Sequence, residues 1–240
     1  MDMKTTTSGF VHQLTFLPGL FPVNCYLVEE ADSLTLVDAA LPYSAKGILA
    51  AAKRIGKRIE RIVLTHPHED HVGALDALKR ALPEAPIYVS ERDSRFFDRD
   101  LTLLPGEAAS PIRGGVPKKL AARPDRHLQE GDAIGSLTAH ASPGHTPGSL
   151  AFLDERDGTL IAGDAFQTWG RTAVAGTIVP WFPFPAFGTW DAPTAVNSAR
   201  KLLELTPRTL AVGHGAMLRD PGEAMRLAIR EAEARLGEGR

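Results

Sequence analysis

Thr65-His66-Pro67-His68-Glu69-Asp70-His71-Val72-Gly73 is the stretch on which the reading of this chain turns. It holds three of the eight histidines in the sequence. It follows the mostly apolar run Arg61–Thr65 and precedes a helical pattern with Val72, Leu75, Leu78 and Leu82 on one side. A strand end is rigid and the loop beyond it faces solvent, so ligands can be fixed there without being walled in. Imidazole and carboxylate are groups that zinc accepts. His66 and His68 alternate in an extended segment, so their rings can converge from one side. Asp70 and His71 lie where the chain turns into the helix and point to a second location. A catalytic zinc takes three protein ligands and keeps one position open, so these four side chains suit two ions sharing the segment.

Further ligands must come from elsewhere, and three positions repeat the same context. His145 lies in Pro143-Gly144-His145-Thr146-Pro147-Gly148, Asp164 in Gly163-Asp164 after the run Leu160–Ala162, and His214 in Gly213-His214-Gly215 after Val212. Each is a ligand type after an apolar strand, with a glycine that lets the backbone turn tightly. His12, His127 and His140 have no such context and read as ordinary residues.

Working outward, strands are expected at Phe10–Leu17, Val23–Glu29, Leu34–Asp38, Ile87–Ser90, Ala133–Ala141, Ser149–Asp154, Thr159–Ala162 and Thr209–Val212. Asp157-Gly158 reads as a hairpin turn. Helical faces appear at Ala45, Ile48, Leu49, Ala52 and Ile55; at Ala195, Val196, Ala199, Leu202 and Leu203; and at Met225, Ala228, Ile229, Ala232 and Leu236. Residues 98–124 carry four prolines and three glycines and read as a long loop over a site. Both halves of the chain run strands, helix, strand, helix. Helices this amphipathic need a sheet to cover, so two sheets with helices outside are expected, as one domain over residues 1–240.

The quoted segment resembles the signature of the metallo-β-lactamase-fold superfamily, and the later segments at His145, Asp164 and His214 match its remaining motifs in order. The resemblance implies an αβ/βα sandwich of two mixed β-sheets flanked by helices, with the site at one edge. It implies that His66, His68 and His145 hold a first metal, that Asp70, His71 and His214 hold a second, and that Asp164 bridges them. Asp38 sits where that family has a supporting acid; a helix or turn cap is the alternative. The resemblance is closest to the glyoxalase II and lactonase branch. The chain departs from it in places. Only one helix follows His214, where glyoxalase II has a helical domain, and Asp164-Ala165-Phe166-Gln167-Thr168-Trp169 lacks the tyrosine that lactonases carry after the bridging aspartate.

The activity expected is hydrolysis of an ester, lactone or thioester by a hydroxide held between two divalent ions, zinc foremost, with iron or manganese as alternatives. Asp70 would also act catalytically, orienting the water or moving its proton. No Gly-x-Ser-x-Gly elbow offers another nucleophile. The alternatives are an oxygenase or redox protein on the same fold, or a β-lactamase or phosphodiesterase type of hydrolase. Composition narrows the partners. The 240 residues are 43% hydrophobic and 23% charged with a net charge of −2, which favours a packed globule and gives no basic excess for nucleic acid. No run is apolar enough for a membrane span, and the polar start and lone Cys25 fit a cytoplasmic protein. Seven of the aromatics fall between Phe166 and Trp190, among Pro180, Pro183 and Pro185, which should prevent regular structure there. That segment reads equally as the wall of a pocket for the apolar part of a small-molecule substrate and as a homodimer contact.

Overall fold

A computed structural model describes residues 3–238. The first sheet contains β1 (Met3–Ser8), β2 (Val11–Phe16), β3 (Val23–Glu29), β4 (Ser33–Val37), β5 (Arg58–Val63), β6 (Ile87–Ser90) and β7 (Arg126–Leu128), in that spatial order. Its first four strands are antiparallel and β4 to β7 run parallel. The second sheet begins with β8 (Ala133–Ile134), β9 (Leu137–Ala141), β10 (Leu150–Asp154) and β11 (Thr159–Ile161). A small ribbon follows, β12 (Phe166–Gln167) with β13 (Ala173–Val174). Then β14 (Thr209–Ala211) joins β11 in parallel and β15 (Leu218–Arg219) closes the edge. The helices are α1 (Ala45–Ile55), α2 (Glu69–Val72), α3 (Leu75–Ala81), α4 (Glu91–Ser94), α5 (Phe184–Phe187), α6 (Ala192–Glu204) and α7 (Gly222–Glu238). None of the described helices is long and apolar enough to cross a membrane.

Period-two alternation explains the layering. Along β3, Val23, Cys25 and Leu27 face α1 and α3, while Tyr26 and Val28 face the other sheet. Leu34 and Leu36 of β4 repeat the first set, and Val37 the second. The layer between the sheets is built from Val11, Tyr26, Val37 and Val63 on one side and Leu150, Phe152, Ile161 and Ala211 on the other. The outer face of the second sheet is covered by the apolar stripes of α6 and α7. The result is the αβ/βα sandwich expected from the sequence.

Several local expectations are corrected. The strand read at Arg61–Thr65 runs instead from Arg58 to Val63, which leaves Thr65 in the loop. The helix read through Val72 to Leu82 is two pieces. Gly73 donates its N–H to Ala40 O at 2.8 Å, outside the helix, and a Cβ on Gly73 would fall 2.6 Å from Pro42 N. The strand read over Ala133–Ala141 breaks at Gly135, whose φ of 63° makes the hairpin turn between β8 and β9. The polar β1 had no apolar alternation to show, because it is an exposed edge strand. Prolines do not keep Phe166 to Trp190 irregular: β12 pairs with β13, and α5 forms one turn with Pro185 at its start, where a missing N–H costs nothing.

Phe152 is fully buried between the sheets. Its replacement by alanine is expected to destabilise the fold by about 3–5 kcal/mol, read as a lower urea midpoint at unchanged slope. A loss under about 1 kcal/mol would mean that this layer is not the core that joins the sheets.

Candidate metal centre

Parallel pairing brings the functional loops to one edge. Val37 pairs with Val63 and Ile161 with Ala211, so the segments after β4, β5, β11 and β14 leave the sheets on the same side. Cross-sheet hydrogen bonds then bind the two halves there. Leu150 N donates to Thr65 O at 2.8 Å, and Asn24 N donates to Gly213 O at 2.9 Å. Tyr26 Oη, Asn24 Nδ2 and Gln13 Nε2 hold the carbonyls of Val212 and Gly215 on either side of His214.

All seven side chains singled out in the sequence meet at this edge. His66, His68 and His145 offer nitrogens within 4.8 Å of one another, and so do the donor atoms of Asp70, His71 and His214. His66, His71 and Asp164 form a third such group, which joins the other two. Asp164 Oδ2 lies 3.3 Å from both His145 Nε2 and His214 Nε2, and Asp164 Oδ1 lies 3.4 Å from His71 Nε2. His214 Nε2 is 3.4 Å from Asp70 Oδ2. Six of the seven are buried; Asp70, with 28% of its side chain exposed, reaches the cavity above.

Each histidine has its outward nitrogen occupied, which fixes where its other nitrogen points. Thr65 Oγ1 donates to Asp38 Oδ2, so it accepts from His66 Nδ1 at 3.0 Å and leaves Nε2 facing the cluster. Thr189 Oγ1 donates to Pro185 O and accepts from His145 Nδ1. His68 Nε2 donates to Arg113 O, and His214 Nδ1 donates to Pro22 O. His71 Nδ1 donates to Asp38 Oδ2 at 2.8 Å. Such partners orient imidazoles toward a cation. Asp38 is therefore the supporting acid rather than a cap. It sits at φ 62°, in the left-handed region, and takes hydrogen bonds from Thr65 N, Thr65 Oγ1 and His71. Sequence reading missed Thr65, Thr189 and the carbonyls of Pro22 and Arg113. Thr65 was visible in the signature, but carbonyls carry no sequence signal at all.

Burial pushes the His66 imidazole well below its ordinary range, reinforced by the neighbouring histidines. Burial also lowers His68 and takes His145 down to about 3. It pulls the same way at His71 and His214, but there carboxylates win. Asp164 and Asp38 hold His71 well above the usual value, and Asp164 and Asp70 raise His214 to about 10. Burial works to raise Asp70 and Asp164 in turn, and the same two histidines outweigh it, keeping both ionised.

The cavity over the cluster measures about 900 Å³. The aromatic segment divides its duties around it. Phe166 and Trp190 are core residues, Phe182 packs on the His214 ring at 5.1 Å, and Phe184 and Phe187 line the cavity. Phe21, from the loop after β2, stacks against Phe182 and Phe184 at 4.9 and 5.0 Å. Trp181 is 87% exposed.

The sequence profile of the Metallo-beta-lactamase superfamily matches residues 18–214. The chain belongs to this superfamily. Within it, the chain is 53% identical over 231 residues to YobT, an uncharacterized protein of Bacillus subtilis, covering 96% of this chain and 99% of YobT. It is 30% identical over 207 residues to the hydroxyacylglutathione hydrolase GloC of Haemophilus influenzae, covering 82% of this chain and 87% of GloC. Among solved structures it resembles TTHA1623, determined in a di-iron-bound form, with a TM-score of 0.65, 28% identity, and coverage of 88% and 96% of the two chains.

Two outcomes are expected of this superfamily member. A cation entering the Asp70–His71–His214 group must displace the protons that the carboxylates hold on these histidines. Its affinity should therefore rise with pH toward about 10 and fall on acidification. A cation entering the His66–His68–His145 group meets neutral imidazoles and should release almost none across the neutral range. Calorimetric titration in buffers of different ionisation enthalpy separates the two; equal proton release from both groups would count against this assignment. Asp38→Asn offers an N–H where Thr65 and His71 both donate. It should turn the His71 ring nitrogens over and weaken metal binding by about 10–100-fold.

Proposed function

We propose that the chain hydrolyses an acyl ester, lactone or thioester using two divalent metal ions. His66, His68 and His145 would hold one ion, Asp70, His71 and His214 the other, and Asp164 would lie between them. One observation carries this reading. His66 Nε2, His71 Nε2 and Asp164 Oδ1 are buried, close together and without hydrogen-bond partners. An unpartnered buried polar atom costs about 1–3 kcal/mol, so three in one place call for a cation that neutralises all of them. A set of imidazole nitrogens and carboxylate oxygens suits zinc, iron or manganese.

A bound pair of such ions would supply a water acidified to a nucleophile near neutral pH and a Lewis acid for the carbonyl. The chain's own groups do the rest. Asp70 is the more exposed of the cluster's two acids that line the cavity, so it can take the water's proton and return it to the leaving group. Phe21, Phe184 and Phe187 form an apolar wall near His214, against which the acyl part of a substrate would lie. The outward hydrogen bonds keep the five histidines from turning as the reaction proceeds. GloC, named for a hydrolase of acylglutathione, supports an acyl-transfer reading over a phosphoester one. The di-iron form of TTHA1623 supports iron as an alternative to zinc, and with it a redox reaction as the second reading.

Metal analysis of the purified protein is expected to give two ions per chain. His68→Ala should lower that content and abolish turnover. Asp70→Asn should reduce kcat by at least about 100-fold. A panel of lactone, thioester, phosphodiester and β-lactam compounds, with oxygen uptake followed in parallel, decides among the reactions. Turnover that survives both chelation and His68→Ala would remove the proposal.

A further inference from the structure

Asp93 is fully buried in α4 and does not line the cavity over the cluster. Arg92, beside it in sequence, spends its guanidinium on Glu107. The Asp93 carboxylate has two partners, and both lie in the loop between β9 and β10. Oδ2 accepts from Thr146 Oγ1, and Oδ1 accepts from Gly148 N at 2.8 Å. A hydroxyl and one backbone N–H compensate poorly for a buried charge, and burial pushes this carboxyl up to about 6. An apolar side chain would fill the space without that cost, so what Asp93 adds is its pair of acceptors.

The loop so held carries His145. Within it, Thr146 N donates to Ser149 Oγ at 2.9 Å, and Ser149 Oγ donates to Thr146 Oγ1 at 2.6 Å. Gly148 is pressed on α4, where a Cβ would fall 2.5 Å from Ser90 Oγ and 2.7 Å from Asp93 Cγ. A second hold comes from the turn after α5: Asp191 N donates to Gly144 O and Trp190 N to His145 O, each at 2.9 Å. α4 leaves β6 of the first sheet, whereas β9 and β10 belong to the second. Asp93 therefore joins the sheets beside the point where His145 Nε2 meets His68 Nδ1 at 3.0 Å. The other half of the cluster has separate supports, Asp38 for His71 and Pro22 O for His214, and neither involves α4.

We propose that Asp93 is a positioning residue for one metal ion of the pair: by holding Thr146 and Gly148 it fixes His145 against His66 and His68, and it leaves the Asp70–His71–His214 group untouched. The inference rests on the two-ion reading above and gives one of its ions a support from outside the site. The two acceptors do this, not the charge. An asparagine at 93 can serve as well, since its amide oxygen accepts from Gly148 N and its N–H donates to a Thr146 hydroxyl that has turned toward Ser149. Without either acceptor the loop loses its tie to the first sheet, and His145 depends on the turn after α5 alone.

Cobalt(II) added to the metal-free protein is the probe, followed by visible absorption and calorimetry. His214→Ala leaves the His66–His68–His145 group intact, and His66→Ala leaves the Asp70–His71–His214 group intact, so each background reports one ion. In the first background, Asp93→Ala is expected to weaken cobalt binding by at least about tenfold. In the second, the change should stay within about twofold, as for sites that share no partner. Asp93→Asn should remain within about threefold of the parent in the first background, because both hydrogen bonds can be remade. Urea unfolding checks that each variant keeps the fold; if Asp93→Ala does not, Thr146→Val removes one of the two bonds and is read by the same comparison. Equal weakening in both backgrounds, no weakening in the first, no cobalt bound in the first, or an asparagine variant as weak as the alanine one overturns the proposal. The expected pattern in a protein that hydrolyses no acyl compound keeps the role of Asp93 and removes the hydrolytic reading instead. Turnover in the unaltered protein, with cobalt binding unmoved by Asp93→Ala, does the reverse.

Discussion

The carboxylate of Asp38 receives Thr65 N on one oxygen and Thr65 Oγ1 and His71 Nδ1 on the other, all at 2.8 Å. It is almost fully buried, and an ionised carboxylate without partners would be prohibitively costly there. The three donors remove that cost only when the segment after β5 lies directly beside the end of β4. The geometry of the whole 65–71 segment follows. Thr65 is turned so that it accepts from His66, and His71 is held with its second nitrogen toward Asp164. Asp38 reaches this place through a left-handed backbone at φ 62°, with Ala40 at φ 51°, conformations that cost of order 1–3 kcal/mol each and persist when the surroundings over-determine them.

The second sheet is bound to this arrangement by backbone bonds as well as by the side chains of Gln13, Asn24 and Tyr26. The Thr65 carbonyl takes the N–H of Leu150, and the Gly213 carbonyl takes that of Asn24. Each bond crosses from one sheet to the other at the edge where the cluster lies. His145 is set by a loop that carries a left-handed Gly144, whose Cα lies so near α6 that a Cβ would fall 2.3 Å from Ala195 Cα. Moving either sheet by an ångström would separate histidines whose rings now stand 4.1 to 4.8 Å apart.

Electrostatics divides the cluster into two unlike halves. At His66, His68 and His145 burial and the neighbouring histidines outweigh the pull of Asp164 and Asp70, so these imidazoles stay neutral. His71 lies between Asp38 and Asp164, and His214 Nε2 faces both Asp70 and Asp164, so these two hold their protons. The same buried polar set that destabilises an isolated domain is what makes a cation favourable there, a common relation between strain and function. Around it, the cavity is lined by Phe21, Phe184 and Phe187 and by the charged side chains of Glu69, Asp76, Lys118 and Lys119.

The sequence alone determined the layered fold and the identity of the seven side chains. Alternation along β3 and β4 and the stripes on α1, α6 and α7 are local patterns set by which face is wet. A ligand type after an apolar strand is likewise written in neighbouring residues. What it left undetermined is everything made by backbone atoms or by distant partners. The break at Gly73, the tautomers fixed by the carbonyls of Pro22 and Arg113, and the role of Asp38 depend on groups far away in the chain or without sequence signal. The polar β1 looks like ordinary surface until the tertiary structure pairs it with β2. Side-chain periodicity records only burial, whereas convergence at a point requires long-range contacts that a linear pattern does not encode.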